Sequence, residues 1–339
     1  MSSPWFRHPL LSPPARLLPL ALLVLALAAP VWAAPVNLGA WLSPEMGKLE
    51  TRAGYQASLY PDQAVKDQRA DLGYLQHNFR LSAPVWQNER QELSLGLGAE
   101  YMALDTAARF PSGQAMPDEL WDLSASALYR RKLDNGWIAG GMLRVDSASD
   151  KPFHSEKESG LNASAFLRLP AGGKDAWLLL LNYDYNRDFL GGSPIPGAAY
   201  WWEPGDHLQA LLGLPLASLR WRPVKDLTLS GTYIAPTTLY TRASYQLARP
   251  LSLFVGYEMF NQRWHLSARP REENRLFHYQ KRGLAGFDYA LAQGLRLEVM
   301  GGYSFDRLFF QGENWGDRDQ ERVDVADGPF VSGQLSYRF

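Results

Sequence analysis

Leu93-Ser94-Leu95-Gly96-Leu97-Gly98-Ala99-Glu100-Tyr101 decides the fold. Every odd position is apolar and every even position is small or polar. A period of two belongs to a strand with one apolar face. The same alternation runs outward in both directions. In 49–59, Leu49, Thr51, Ala53, Tyr55, Ala57 and Leu59 oppose Glu50, Arg52, Gly54, Gln56 and Ser58. In 121–130, Trp121, Leu123, Ala125, Ala127 and Tyr129 oppose Asp122, Ser124, Ser126 and Arg130. Residues 161–169 and 294–305 repeat the pattern, with Leu161, Ala163, Ala165, Leu295, Leu297 and Val299 on the apolar face.

Turn-forming residues punctuate these runs. Short turns fall at 86–90, 133–136, 170–175, 222–226, 248–250 and 292–294, the second of them Leu133-Asp134-Asn135-Gly136. Longer polar connections fall between them at 61–69, 105–119, 147–160, 190–206, 265–275 and 311–327, with a tight turn near Ala235-Pro236-Thr237-Thr238. Short and long connections alternate, as they do in a transmembrane barrel with periplasmic turns and extracellular loops. Hydrocarbon cannot satisfy backbone N–H and C=O groups, so a sheet that crosses it must close on itself. The expected fold is all-β, a closed antiparallel transmembrane β-barrel of about 14 strands, within 12–16. One stretch resists the pattern. Leu208 to Leu219 is apolar on both faces at several positions, which fits a strand against a lumenal plug or a short helix.

The composition of the 339-residue chain agrees. Lys+Arg is 34 and Asp+Glu is 35, which excludes a basic nucleic-acid binder. An apolar content of 46% excludes disorder, and the negative mean hydropathy excludes a bundle of transmembrane helices. The absence of Cys removes disulfide scaffolds, thiolate metal sites and thiol nucleophiles. Arg7, His8 and Arg16 precede an apolar run, Leu17–Leu27, and Val31-Trp32-Ala33 offers a small-residue cleavage site. Residues 1–33 read as a cleaved signal peptide and 34–339 as the barrel domain, with 34–48 a lead-in to the first strand. The expected location is the outer membrane of a Gram-negative bacterium.

Aromatic residues add to this reading. Trp137, Trp177 and Trp221 each stand beside a short turn on the apolar face, where an interfacial girdle belongs. At the chain's end Val331, Leu335, Tyr337 and Phe339 share one face. That ending resembles the last strand of bacterial outer-membrane proteins, which the barrel assembly machinery recognises by its terminal aromatic. Leu214-Pro215-Leu216-Ala217-Ser218-Leu219-Arg220-Trp221-Arg222-Pro223, followed by Leu251-Ser252-Leu253-Phe254-Val255-Gly256-Tyr257-Glu258, resembles a Gram-negative outer-membrane barrel family known only as a domain of unknown function. The resemblance would cover nearly all of the chain after the leader. It implies the barrel and implies no activity.

The face assigned to the lumen is rich in charge of both signs. Arg52, Arg80, Arg130, Arg144, Arg168, Arg242, Arg282 and Arg296 face Glu50, Glu92, Glu100, Asp122, Asp146, Asp184, Glu258, Asp288 and Glu298. Opposed charges set a transverse field that suits passage of small polar solutes. The same residues also suit a salt-bridge network that fills and stiffens a plugged structural or surface-interaction barrel. His265-Leu266-Ser267 resembles the His-x-Ser of outer-membrane lipid hydrolases, but Ala268-Arg269-Pro270 follows where those enzymes carry an Asn. By the alternation His265 points to lipid near the extracellular rim, where it would activate Ser267 as a nucleophile.

Asp317, Asp319, Glu321, Asp324 and Asp327 lie in one loop but lack the glycine and spacing of an EF-hand. They read as a solvated loop that shares divalent ions with lipopolysaccharide. Tyr200-Trp201-Trp202 reads as outer girdle before sugar platform. No metal site, cofactor site or nucleic-acid module is expected; the partners are outer-membrane lipid, lipopolysaccharide and the assembly machinery.

Overall fold

The computed structural model describes residues 43–185, 192–235 and 237–339; the leader assigned to 1–33 and Pro236 of the tight turn lie outside them. The strands in chain order are β1 (Arg52–Ala64), β2 (Asp71–Gln87), β3 (Gln91–Thr106), β4 (Glu119–Lys132), β5 (Ile138–Ser149), β6 (Gly160–Gly172), β7 (Asp175–Asp184), β8 (Ile195–Gly205) and β9 (Leu208–Leu214). They continue as β10 (Leu216–Val224), β11 (Leu227–Ile234), β12 (Thr238–Ala248), β13 (Leu251–Trp264), β14 (Arg275–Ala292), β15 (Leu295–Gly312), β16 (Arg322–Val325) and β17 (Gly328–Arg338). From β1 to β16 successive strands pair antiparallel, and β17 pairs with β15 and with β1 to close the sheet, with Leu59 opposite Val331 and Arg52 opposite Arg338. Among the described residues the wall has 16 strands. The four-residue β16 is an addition on the long-loop end of β15, in the register that β17 holds lower down.

The expectation of about fourteen strands is corrected here. The additional pair comes from the stretch that resisted the alternation. Leu208 to Leu219 is a hairpin, β9 and β10, with Leu211 opposite Ser218 and Leu208 opposite Trp221. It is neither a helix nor a strand lying on a plug. The connection assigned to 190–206 contains β8, which pairs with β7 and β9. The first turn carries Pro204-Gly205 at its start, yet Asp206-His207 is too short to break a pattern, and Pro215 turns the chain between two leucines.

Outer-face side chains follow the alternation. Leu97, Leu143 and Val255 are 54–58% exposed although all are aliphatic. Trp137, Trp177 and Trp221 are exposed on the same face beside the short turns.

The barrel is not a plain cylinder. At the long-loop end β12 pairs with β13 only up to Met259, and β6 pairs with β5 only up to Asp146. Two free edges remain, the upper parts of β13 and β5. They meet: Ser149 and His265 form a parallel bridge, and His265 N–H donates to the Ala148 carbonyl at 2.8 Å. Both strands run toward the long-loop end, so their contact must be parallel. The result is a smaller ring of β13, β14, β15, β16, β1, β2, β3, β4 and β5, closed on the β1 side by the bridge Val65–Val325. Its interior is a packed apolar core that includes Tyr60, Leu72, Tyr74, Met102, Trp264, Leu276, Phe309 and Val323. Ala108, Phe110 and Met116 from the β3–β4 loop cover it. The other seven strands, β6 to β12, stop short of this ring and wall off a side compartment.

Candidate functional site

The candidate site is the side compartment between the β5–β13 seam and the low wall of β6 to β12. Inward-facing residues of β3, β4, β5 and β7 bring Glu100, Asp122, Asp146 and Asp184 to one side of it. Arg144 reaches Asp122 at 3.3 Å and Asp146 at 3.8 Å, and Arg263 reaches Asp184 at 3.4 Å. Glu100 accepts from Gln76 Nε2 at 2.9 Å, from Asn78 Nδ2 at 3.1 Å and from Gln262 Nε2. Gln262 and Arg263 belong to the part of β13 that has left the wall, so the seam draws its own residues onto the acidic side. The Arg144 Nη1 atom is buried with no hydrogen-bond partner among the described residues.

Arginines of β10 and β12 occupy the facing wall. Arg220 is exposed on the inward face of β10, among Ser218, Ser230 and Thr232. Arg242 lies 3.4 Å over the Phe254 ring and holds Glu298 at 2.7 Å. Arg80, opposite Gly54 and Gly98 in the ladder, is also exposed inside the barrel.

Other charged residues of the inner face pair outside the compartment. Arg282 holds Glu258 at 2.5 Å and donates to the Tyr60 hydroxyl at 2.6 Å, beneath the small ring. Arg296 Nε donates to Asp288 at 2.8 Å near the short turns. Arg168 is buried and reaches the Lys174 carbonyl at 3.5 Å. Arg52 is exposed at the start of β1.

The short-turn end of the compartment is closed by a feature that sequence reasoning left as a lead-in. Residues 43–49 run across the mouth as a strap. Arg130 and Glu92 form a buried ion pair on β4 and β3, and both hold the strap. Arg130 donates to the Ser43 carbonyl at 3.2 Å, and Gly47 N–H donates to Glu92 at 2.6 Å. Leu49 N–H donates to Gln87 at 2.9 Å. Met46 then inserts among Ile138, Phe166, Leu178, Ala199 and Leu211. Gly140 makes room for this layer, because a Cβ there would overlap the Phe166 ring. The one sequence clue was Arg130 opposite Glu92 at the end of two strands, where solvent would otherwise serve both.

The His265 and Ser267 pair does not assemble. His265 is buried at 8% exposure in the seam, not turned toward lipid as the alternation suggested. The alternation fails because the chain leaves the wall after Met259. His265 Nε2 accepts from Arg275 Nε at 3.1 Å, and Ser267 Oγ donates to Asp150 at 2.7 Å. Burial, with Arg275, Arg263 and Arg269 close by, pushes the imidazole down to about 3. A ring so reluctant to take a proton, with its lone pair already engaged, is a poor general base.

The acidic loop spends its carboxylates internally. Asp319 and Asp324 hold Arg322 at 3.2 and 2.7 Å, and Asp317 accepts from the Glu313 and Asn314 N–H groups at 2.9 and 3.2 Å. No group of three or more metal-ligating side chains occurs among the described residues. In the Tyr200-Trp201-Trp202 run, Tyr200 packs on Trp177 at 4.9 Å outside the barrel. Trp201 turns inward and donates to Glu203 at 3.0 Å. At the other end of the chain Tyr337 and Phe339 meet edge to face at 4.3 Å.

No known family model matches the chain, and no curated protein does. Solved structures do. An outer-membrane channel from Pseudomonas putida F1 is 12% identical, covers 88% of this chain and 98% of its own, and superposes with a TM-score of 0.39. The Pseudomonas putida toluene transporter TodX is 9% identical over 92% of this chain and 95% of its own, with a TM-score of 0.39. The translocator domain of the autotransporter NalP from Neisseria meningitidis is 14% identical over 93% and 99%, with a TM-score of 0.31.

Proposed function

We propose that this barrel lies in a Gram-negative outer membrane, short turns toward the periplasm, and passes small polar solutes through the side compartment. The observation that carries the reading is the dense opposed charge inside it. Glu100, Asp122, Asp146 and Asp184 gather on one side with Arg144 and Arg263 between them, and Arg220 stands exposed on β10 across the space. A small solute that carries both a cationic and an anionic end is oriented by such a field. The exposed aliphatic outer face supports the membrane, since water would penalise an apolar surface of that extent. The closed sheet satisfies the backbone there without solvent.

The packed small ring excludes a path along the barrel axis, so solute enters beside it, over the low wall. The strap then sets the rate at the periplasmic end. Planar-bilayer recording tests this. Barrel lacking residues 34–48 should give stable unitary currents larger than those of the intact mature chain. Silence from both, with protein that is folded by its heat-dependent gel mobility, would instead support a plugged structural barrel.

A further inference from the structure

The outer face of β3 to β7 is not uniformly bulky. Ala127, Gly141, Ala163 and Ala165 lie side by side across three strands and leave a groove of about 440 Å³. Leu93 and Tyr129 border it at the short-turn end, and Tyr183 and Pro194 at the long-loop end. The register explains its course. Leu93, Tyr129, Gly141, Ala165 and Leu181 are successive cross-strand partners, so the groove follows the ladder and climbs obliquely. Four interstrand steps of about 4.8 Å give a length of ~19 Å. With strands tilted by about 40° that row rises ~12 Å along the membrane normal, within one leaflet of a hydrocarbon core of about 30 Å.

A cation stands at the lower end. Arg131 is exposed on the same face of β4 as Tyr129 and two residues nearer the turn, about 7 Å along the strand. It has no ion pair among the described residues, whereas its neighbour Arg90 holds Asp134 at 3.1 Å. An apolar trough that ends on an unpaired guanidinium at the interface matches a molecule with a long chain and an anionic head. We propose that the groove binds one phospholipid of the periplasmic leaflet, its acyl chain along Ala163 and Ala165 and its phosphate on Arg131. Arg suits that head because its fork donates two parallel hydrogen bonds to phosphate oxygens.

This inference rests on the membrane reading above, but its test does not need a pore. Native mass spectrometry of the mature barrel, exchanged in mild detergent with phosphatidylglycerol or phosphatidylcholine, reads bound lipid directly. The intact protein should retain one phosphatidylglycerol per chain. Ala163→Phe fills the trough and should lower retention about tenfold, and Arg131→Gln should remove the preference for the anionic lipid. Ala165→Leu is a milder filling variant that serves if Ala163→Phe fails to fold. Equal retention by intact and filled barrels overturns the proposal, as does a mass of two chains lost on filling, which would make the groove a contact between copies. Failure of the membrane reading itself would show separately, as a barrel that stays dissolved without detergent.

Discussion

Arg130 and Glu92 face each other across adjacent strands at the short-turn mouth, each about 1% exposed, and between them they grip the backbone of residues 43–47. A buried pair of this kind contributes little over an apolar substitute, but removal of one partner strands the other. Arg130→Ala should cost about 3–5 kcal/mol, because Glu92 then stays buried without a counter-charge. The same variant should free the strap. Limited proteolysis between 43 and 49 should accelerate, and unitary current should rise toward that of the strapless barrel. A denaturant midpoint and a single-channel trace on one preparation check both. An unchanged cleavage rate would show that Met46 alone holds the strap.

The seam at the long-loop end should be acid-labile. Burial alone would raise the Glu158 carboxyl, but hydrogen bonds from Ser155 and from Arg269, the latter at 2.8 Å, outweigh it and bring the group down to about 2 from an ordinary 4.5. Its contribution is complete above pH 4.5 and is lost as pH falls toward 2. His265, held near 3 against an ordinary 6.5, is neutral in the folded seam. The unfolded chain takes that proton first, so stability declines from pH 6.5 downward. Thermal melts at pH 7, 5 and 3, followed by tryptophan fluorescence, should show a stepwise drop. His265→Gln should flatten the upper step and Glu158→Gln the lower.

The opposed charges of the compartment make selectivity adjustable. Asp122→Asn with Asp146→Asn weakens the acidic side and leaves Arg220 and Arg242 in place. The reversal potential should move toward anions. The effect should be largest at low ionic strength and shrink at 1 M salt, where the screening length is about 3 Å. An unmoved potential would take these acids off the permeation path.

Ser267 should behave as a structural residue. Its hydroxyl serves Asp150, and Ser267→Ala should lower the melting temperature slightly through one lost hydrogen bond, about 1 kcal/mol. Phospholipid turnover by the intact barrel should not exceed that of boiled protein. Turnover abolished by Ser267→Ala would reverse this assignment.

The sequence discloses the wall and conceals its interior closure. Period-two runs such as Leu93–Tyr101 announce their outer face because one neighbour is apolar throughout. The hairpin of β9 and β10 is obscured because Leu208, Leu211, Leu212 and Leu214 fall on both faces. Leu211 packs inward with Met46, and Leu212 points outward. The small ring is obscured for a related reason. Phe277 and His278 on β14, and Phe309 and Phe310 on β15, are all buried, so neither face there meets solvent. Which edges meet is a matter of where pairing stops, at Met259 and Asp146, and neither residue marks that point in its own type. The strap is harder still, since Ser43–Leu49 has no period at all.

The wall height differs greatly around the circumference. β9 has seven residues and β11 eight, whereas β14 and β15 have 18 each. Seven residues tilted by about 40° rise only ~18 Å, less than the apolar band of about 25 Å of an outer-membrane barrel. Hydrophobic mismatch of this sign is relieved by thinning of the surrounding lipid or by a lean of the whole protein. In the proposed membrane setting the bilayer around this chain would carry a dent on one flank, and the protein would acquire a heading in the membrane plane that a symmetric cylinder lacks.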